Sequence, residues 1–135
     1  MIQMSVNIDV DDLEKASDFY CRAFALEVGR RFGPHAIELL GATSPIYLLT
    51  KEAGSAPVRK MDLKRDYQRH WTPVHVDFIV EKLEPALERA LAAGAQQESS
   101  IREYDWGRIV VCADPWGHGF CVLQFTEKGY DAVAT

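Results

Sequence analysis

Shifting the sequence by 70 residues sets Val6 on Val76, Val10 on Val80, Leu13 on Leu83, Glu14 on Glu84 and Ala16 on Ala86, five identities in one short window. An internal repeat constrains a fold more than any local pattern, because each copy must be one supersecondary unit. A copy of half this chain is too small to hold a secure core by itself, so the two copies imply a fused pair.

Each copy opens with strict alternation. Val6, Ile8 and Val10 fall on one side of a strand over residues 4–10, with Ser5, Asn7 and Asp9 on the other. Val74, Val76, Phe78 and Val80 likewise alternate with His75, Asp77 and Ile79. Period two with β-branched residues predicts a strand with one face in an apolar core. Leu13, Ala16, Tyr20, Ala23 and Phe24 then recur at helical spacing, predicting a helix over 12–25. Asp11 stands three residues before Glu14, the spacing of a capping box. Leu83, Leu87, Ala90 and Leu91 predict a second helix, with Pro85 in its first turn and Gly94 as its stop. Three extended segments follow each helix, over 27–32, 35–40 and 46–50, and again over 97–102, 108–113 and 119–125, separated by Gly- and Pro-rich turns. The expected organisation is a single domain over 1–135, with unit one at 1–50, a linker at 51–72, unit two at 73–127 and a tail at 128–135. The linker is long for a compact domain. Its Tyr67 and Trp71 are large enough to cover a pocket or simply to pin the segment down.

Composition narrows the partners. A formal charge of -5 argues against a phosphate-binding surface, so no nucleic acid is expected. No apolar run reaches membrane-spanning length, and the N-terminus lacks a basic start and an apolar stretch, so neither membrane nor export is expected. Three cysteines, Cys21, Cys112 and Cys121, are odd in number and match no paired spacing, which favours reduced thiols in a cytoplasmic protein.

Two βαβββ units in tandem resemble the vicinal oxygen chelate superfamily, the glyoxalase, bleomycin resistance and extradiol dioxygenase group. Val10-Asp11-Asp12-Leu13-Glu14, Asp18-Phe19-Tyr20, Ala92-Ala93-Gly94-Ala95 and Asp114-Pro115-Trp116-Gly117-His118 carry the resemblance over nearly the whole chain. Ala25 departs from the glycine common after the first helix, at a cost of up to about 1 kcal/mol if its backbone is left-handed. The resemblance implies an α+β fold in which two mixed sheets form a partly open barrel with helices outside, and a homodimer. It also implies a divalent metal held by the first and fourth strands of each unit, usually by His on the first and by Glu, Gln or His on the fourth. Those places fall on Ser5 and His75 for the first strands and on Tyr47 and Cys121 for the fourth. A catalytic metal needs about three protein ligands and an open position, whereas here only His75 survives as a family ligand. The expectation is therefore no cofactor, with a divalent metal as the alternative. A site moved to His35 or His118 is a further option.

Alternation sends Ser5, Asn7, Asp9, His75 and Asp77 toward the interior of the barrel, where a buried carboxylate can act as a general base. In a purely structural role Asp77 would pair with a neighbour such as Arg108, and Asp9 would sit in water at its strand end. Cys121 reads as a small buried residue in preference to a nucleophile. Tyr47, Tyr104, Trp106 and Trp116 offer aromatic walls, though Trp116 stands in a turn and also reads as surface. The expected ligand-binding set is Ser5, Asn7, Asp9, Tyr47, His75, Asp77, Trp106 and Cys121. The favoured function is metal-free binding of a small organic molecule, a cationic aromatic one suiting the acidic balance. The alternative is a lyase, isomerase or dioxygenase-like enzyme with a rearranged metal site or a His75/Asp77 acid–base pair. A structural module with a vestigial pocket is the third possibility.

Overall fold

The computed structural model describes residues 1–135 and separates them into two compact units, Met1–Gln68 and Arg69–Thr135. The fold is α+β, two tandem units each with one helix and one open mixed sheet. The linker is shared out by this division: residues 51–68 belong with the first unit and 69–72 with the second.

Unit one runs β1 (Val6–Val10), α1 (Leu13–Phe24), β2 (Glu27–Phe32), β3 (Ala36–Leu40) and β4 (Ile46–Thr50), in sheet order β1-β4-β3-β2. Strands β1 and β4 are parallel, with Val6 opposite Ile46 and Ile8 opposite Leu48. Those residues share a face with Ile37 and Leu39 of β3, against which α1 buries Leu13, Ala16, Phe19, Tyr20 and Ala23. The helix is capped by Asp12 and not by an Asp11–Glu14 box: the Asp12 carboxylate accepts from Lys15 N at 3.0 Å. Glu14 is one position too early to reach back, and instead pairs with Arg31 at 2.7 Å. Ala25 has φ 53 and ψ 42, so the left-handed position that favours glycine is filled by alanine.

Unit two runs β5 (Val76–Ile79), α2 (Leu83–Ala93), β6 (Gln96–Gln97), β7 (Arg102–Tyr104), β8 (Gly107–Ala113) and β9 (Gly119–Phe125). The sheet order is β5-β9-β8-β6, with β7 also on β8. The single strand expected over 97–102 is two short ones, because Glu98 N–H and Ser99 N–H both bond to Val111 O and the Ser99 hydroxyl accepts from Val111 N, which breaks the regular ladder. Helix α2 buries Leu83, Ala86, Leu87 and Ala90, and it packs on β9. Val76, Phe78, Phe120, Val122, Val110 and Cys112 alternate onto one face of the sheet. Val74 was expected beneath the helix with them but is 81% exposed, since the strand begins only at Val76. The tail ends in a short turn, Gly129–Ala132, whose Tyr130 packs on Phe125 and Trp106. No helix is long and apolar enough to cross a membrane.

Candidate functional site

The parallel ladder β5·β9 places Asp77 directly opposite Cys121. Cross-strand partners project from the same face, and His75, two residues before Asp77, projects there too. Their side chains converge accordingly. His75 Nε2 lies 3.0 Å from the Asp77 carboxylate, and one ligating atom from each of His75, Asp77 and Cys121 fits within 4.8 Å of the others. His75 is 52% exposed at its side chain and Cys121 is buried, so the cluster lies between sheet interior and solvent. Burial, together with the charge of Asp77 and a hydrogen bond to it, pushes the Cys121 thiol up to about 11. It stays a protonated thiol at neutral pH.

A pocket of about 210 Å³ opens beside this cluster, lined by His75, Cys121, Val111, Gly119 and, from the linker end, Arg69, Trp71 and Thr72. The roof is held by polar contacts. Arg69 pairs bidentately with Glu98 at 2.7 and 2.9 Å, which lowers the Glu98 carboxyl and raises the guanidinium. His70 donates its backbone N–H to Gly117 O at 3.1 Å, and its ring meets that of His118, Nε2 to Nδ1, at 2.9 Å. A Cβ on Gly119 would come within 2.7 Å of the Arg69 guanidinium, so glycine there makes room for the clamp. Trp71 lines the pocket while remaining 79% exposed. Tyr67 instead ties the linker down, its hydroxyl donating to Lys51 O at 2.6 Å.

In unit one the corresponding face carries an ion-pair network. Tyr47 stands opposite both Asn7 and Glu38. Arg30 forks onto Glu38 with Nε at 3.0 Å and Nη2 at 2.5 Å, its backbone N–H adds a third bond at 3.1 Å, and the Tyr47 hydroxyl donates a fourth at 3.1 Å. With these donors the Glu38 carboxyl, though buried, falls to about 2. A Cβ on Gly29 would meet Glu38 Oε1 at 2.7 Å, so that glycine is the space the carboxylate occupies.

The expected site residues are thus divided. His75, Asp77 and Cys121 come together in unit two; Ser5 and Asn7 are exposed in unit one, and Tyr47 belongs to the Glu38 network. Ser5 and Tyr47 line a separate wide depression with residues 1–4 and 43–45. Asp9 does not sit in water: Arg65 of the linker donates to it at 2.7 Å. Asp77 pairs with His75 and not with Arg108, which binds Glu84 and approaches Glu103. Trp106 stacks on Tyr104 at 5.4 Å in the cluster with Phe125 and Tyr130, away from the pocket lining. Trp116 is buried, held by the Asp114 turn, and is no surface residue. His35 is exposed, and His118 is engaged with His70. Sequence reasoning missed Arg69, Val111 and Gly119. No local pattern marks them; only the ladder and the linker's return bring them beside Cys121.

A family profile described as a glyoxalase-like domain matches residues 5–123. The uncharacterised protein Rv0887c of Mycobacterium tuberculosis is 33% identical over 131 residues, covering 90% of this chain and 73% of that protein. Anthracycline biosynthesis protein DnrV of Streptomyces peucetius is 28% identical over 132 residues, 96% of this chain but 43% of DnrV. Among solved structures, the fosfomycin resistance protein FosX of Listeria monocytogenes superposes with a TM-score of 0.71 at 22% identity, over 95% of this chain and 94% of FosX. That structure is a mutant complexed with Mn(II) and a dihydroxypropylphosphonic acid. At this identity the likeness concerns the fold.

Proposed function

The chain belongs to the glyoxalase-like family of the vicinal oxygen chelate superfamily, and from that premise we propose that it binds a small organic molecule in the pocket of its second unit. The observation that carries this reading is the pocket itself, floored by His75 and Cys121 and roofed by Arg69, Trp71 and Thr72. Its 210 Å³ holds about seven water-sized groups, below the roughly 300 Å³ at which drug-sized pockets begin. The ligand is accordingly a small ring compound, or one ring of a larger one. Glu98 offsets Arg69, and the Asp77 carboxylate beside His75 adds negative charge next to the pocket. A protonated amine on an aromatic ring suits that balance, with Trp71 as the apolar and cation-binding wall. The reading invokes protein groups alone, with a divalent metal as the alternative. A reduced cytoplasmic setting and a homodimer complete the reading, the first supported by the three free cysteines.

A thermal-shift and NMR screen of amine-bearing aromatic fragments, run in chelator, tests it. The expected result is saturable stabilisation, weakened by Asp77→Asn and by Trp71→Ala. A blank panel, or hits indifferent to both substitutions, would overturn it. Light scattering in the same buffer reads the dimer.

A second reading rests on the 3.0 Å His75–Asp77 contact, which is the geometry of an acid–base pair. It makes the protein a lyase or isomerase acting beside a carbonyl. Deuterium exchange at the carbon next to the carbonyl, catalysed by the wild type and lost in Asp77→Asn, is the result it requires.

A further inference from the structure

We propose that Arg30, presented on the open sheet face of unit one, receives the carboxylate of a small aromatic acid whose ring lies against Phe32 and Tyr47. The site is separate from the pocket of the second unit and does not rest on the reading given for that pocket.

The local backbone is built to aim this one side chain. Val28 stands opposite Leu39 and Arg31 opposite Ile37, so two residues of β2, Gly29 and Arg30, face the single residue Glu38. A bulge of this kind redirects a side chain while interrupting the ladder. Ile37 and Leu39 are buried under the helix, so Glu38 between them points the other way, onto the face it shares with its ladder partner Tyr47. Gly29 leaves the space that Glu38 Oε1 fills. The carboxylate is 7% exposed and grips from behind a guanidinium that is 67% exposed. With the anion inside and the cation outside, the pair is a fixed dipole whose positive end meets solvent.

The donors are not used up. Nε and Nη2 bind the two Glu38 oxygens at 3.0 and 2.5 Å, and Nη2 also makes a long 3.3 Å bond to the Tyr47 hydroxyl. A guanidinium has five N–H groups, and Nη1 makes no hydrogen bond here. The Glu38 carboxylate is full, but the outer edge of Arg30 can still take the two-point pairing that carboxylates make with arginine. An oxyanion at that edge lies about twice as far from Glu38 as from the guanidinium, so attraction exceeds repulsion. The bonds to Glu38 raise Arg30 further, so its charge persists at any working pH.

An exposed ion pair binds weakly by itself, and the neighbouring side chains add the rest. The Phe32 ring lies 5.5 Å from the guanidinium carbon and 6.2 Å from the Tyr47 ring. Phe32 is 44% exposed, and Leu40, beside Gly29, is 45% exposed. A flat ring bearing a carboxylate uses both the cation and this apolar surface, whereas an aliphatic acid uses the cation alone.

Titration of nitrogen-15-labelled protein with benzoate, followed by NMR, tests the site. The expected result is a saturable shift of the Arg30 Nε–H and of the amides around Phe32 and Tyr47, half-complete in the low millimolar range. Nuclear Overhauser contacts from benzoate to both rings should accompany it. Acetate should bind at least about fivefold more weakly, and anilinium should leave the Arg30 Nε–H unmoved. Arg30→Lys, which keeps the charge but loses the planar fork, should weaken benzoate at least about tenfold. Phe32→Leu, which leaves the ion pair in place, should weaken it severalfold. A titration that never saturates, shifts centred on other basic residues, or an affinity unchanged in folded Arg30→Lys would overturn the site. If Arg30→Lys does not fold, the wild-type contacts and Phe32→Leu decide, and missing contacts or an indifferent Phe32→Leu overturn it. The amine screen reads the second unit and benzoate the first, so either can fail while the other holds.

Discussion

In unit one Tyr47 stands beside Asn7 on a parallel strand pair; in unit two Cys121 stands beside Asp77 at the same place. The next strand inward contributes Glu38 in the first case and Val111 in the second. From those few side chains the two faces diverge. Glu38 draws Arg30 and Tyr47 into a network in which the buried carboxylate has four hydrogen bonds, so no polar capacity is left for a ligand. Val111 draws nothing, and the smaller Cys121 leaves a pocket beside a histidine and a carboxylate. The repeated backbone thus carries an ion-pair network on one face and the His75, Asp77 and Cys121 cluster beside a pocket on the other.

The comparison breaks first if the cores are not equivalent. Leu48 in unit one and Leu83 in unit two are fully buried, so Leu48→Ala and Leu83→Ala should each cost about 2–5 kcal/mol in urea denaturation. A small cost for only one of them would mean that its unit tolerates a loosened core. Next in size is reactivity. A thiol near 11 has about a hundredth of the thiolate of one at the ordinary 9.0, so Cys121 should alkylate about a hundredfold more slowly than a free cysteine at pH 8. Peptide mapping after a timed iodoacetamide pulse measures it, and rapid labelling would remove the protonated thiol from the account.

The Glu38 network should show its own signature, a few degrees of melting temperature lost in Glu38→Gln at pH 7. Its carboxyl is lowered in the folded state, so its stabilisation is full above the ordinary 4.5 and fades as pH falls to about 2. Melts of both proteins across that window should converge, and a gap unchanged at pH 2 would contradict the assignment. The smallest effect separates the helices. Asp12→Ala should cost about 1 kcal/mol by removing the α1 cap, whereas Lys82→Ala should cost almost nothing. At α2 the Leu83 N–H is instead satisfied by Gln124 from β9 at 2.8 Å, a tertiary substitute for the missing side-chain cap.

Much of this was legible beforehand. Alternation and helical spacing located both helices, and the bounds 27–32, 46–50 and 119–125 coincide with strands as folded. The capping residue was misplaced by one position because Asp11 and Asp12 are chemically alike and only the turn geometry chooses between them. The strand over 97–102 was drawn whole because nothing local announces that Ser99 will bond across to β8. The partners of Asp9 and Asp77 could not be read at all. Arg65 and Asp9 lie far apart in sequence, and every basic residue is an equal candidate until the chain folds back.

What the sequence determined by itself is the repeat and the α+β plan, because apolar periodicity and turn residues act over a few neighbouring positions; the family it indicated by the resemblance of its motifs. It also placed His75, Asp77 and Cys121 individually on strands. Only the tertiary structure decided that the three face one another, since strand register is set by the pairing of β5 with β9 across more than 40 residues of chain. The same pairing in unit one produces no such cluster, because the equivalent places hold Ser5, Asn7 and Tyr47, and Tyr47 is hydrogen-bonded to Glu38 and Arg30.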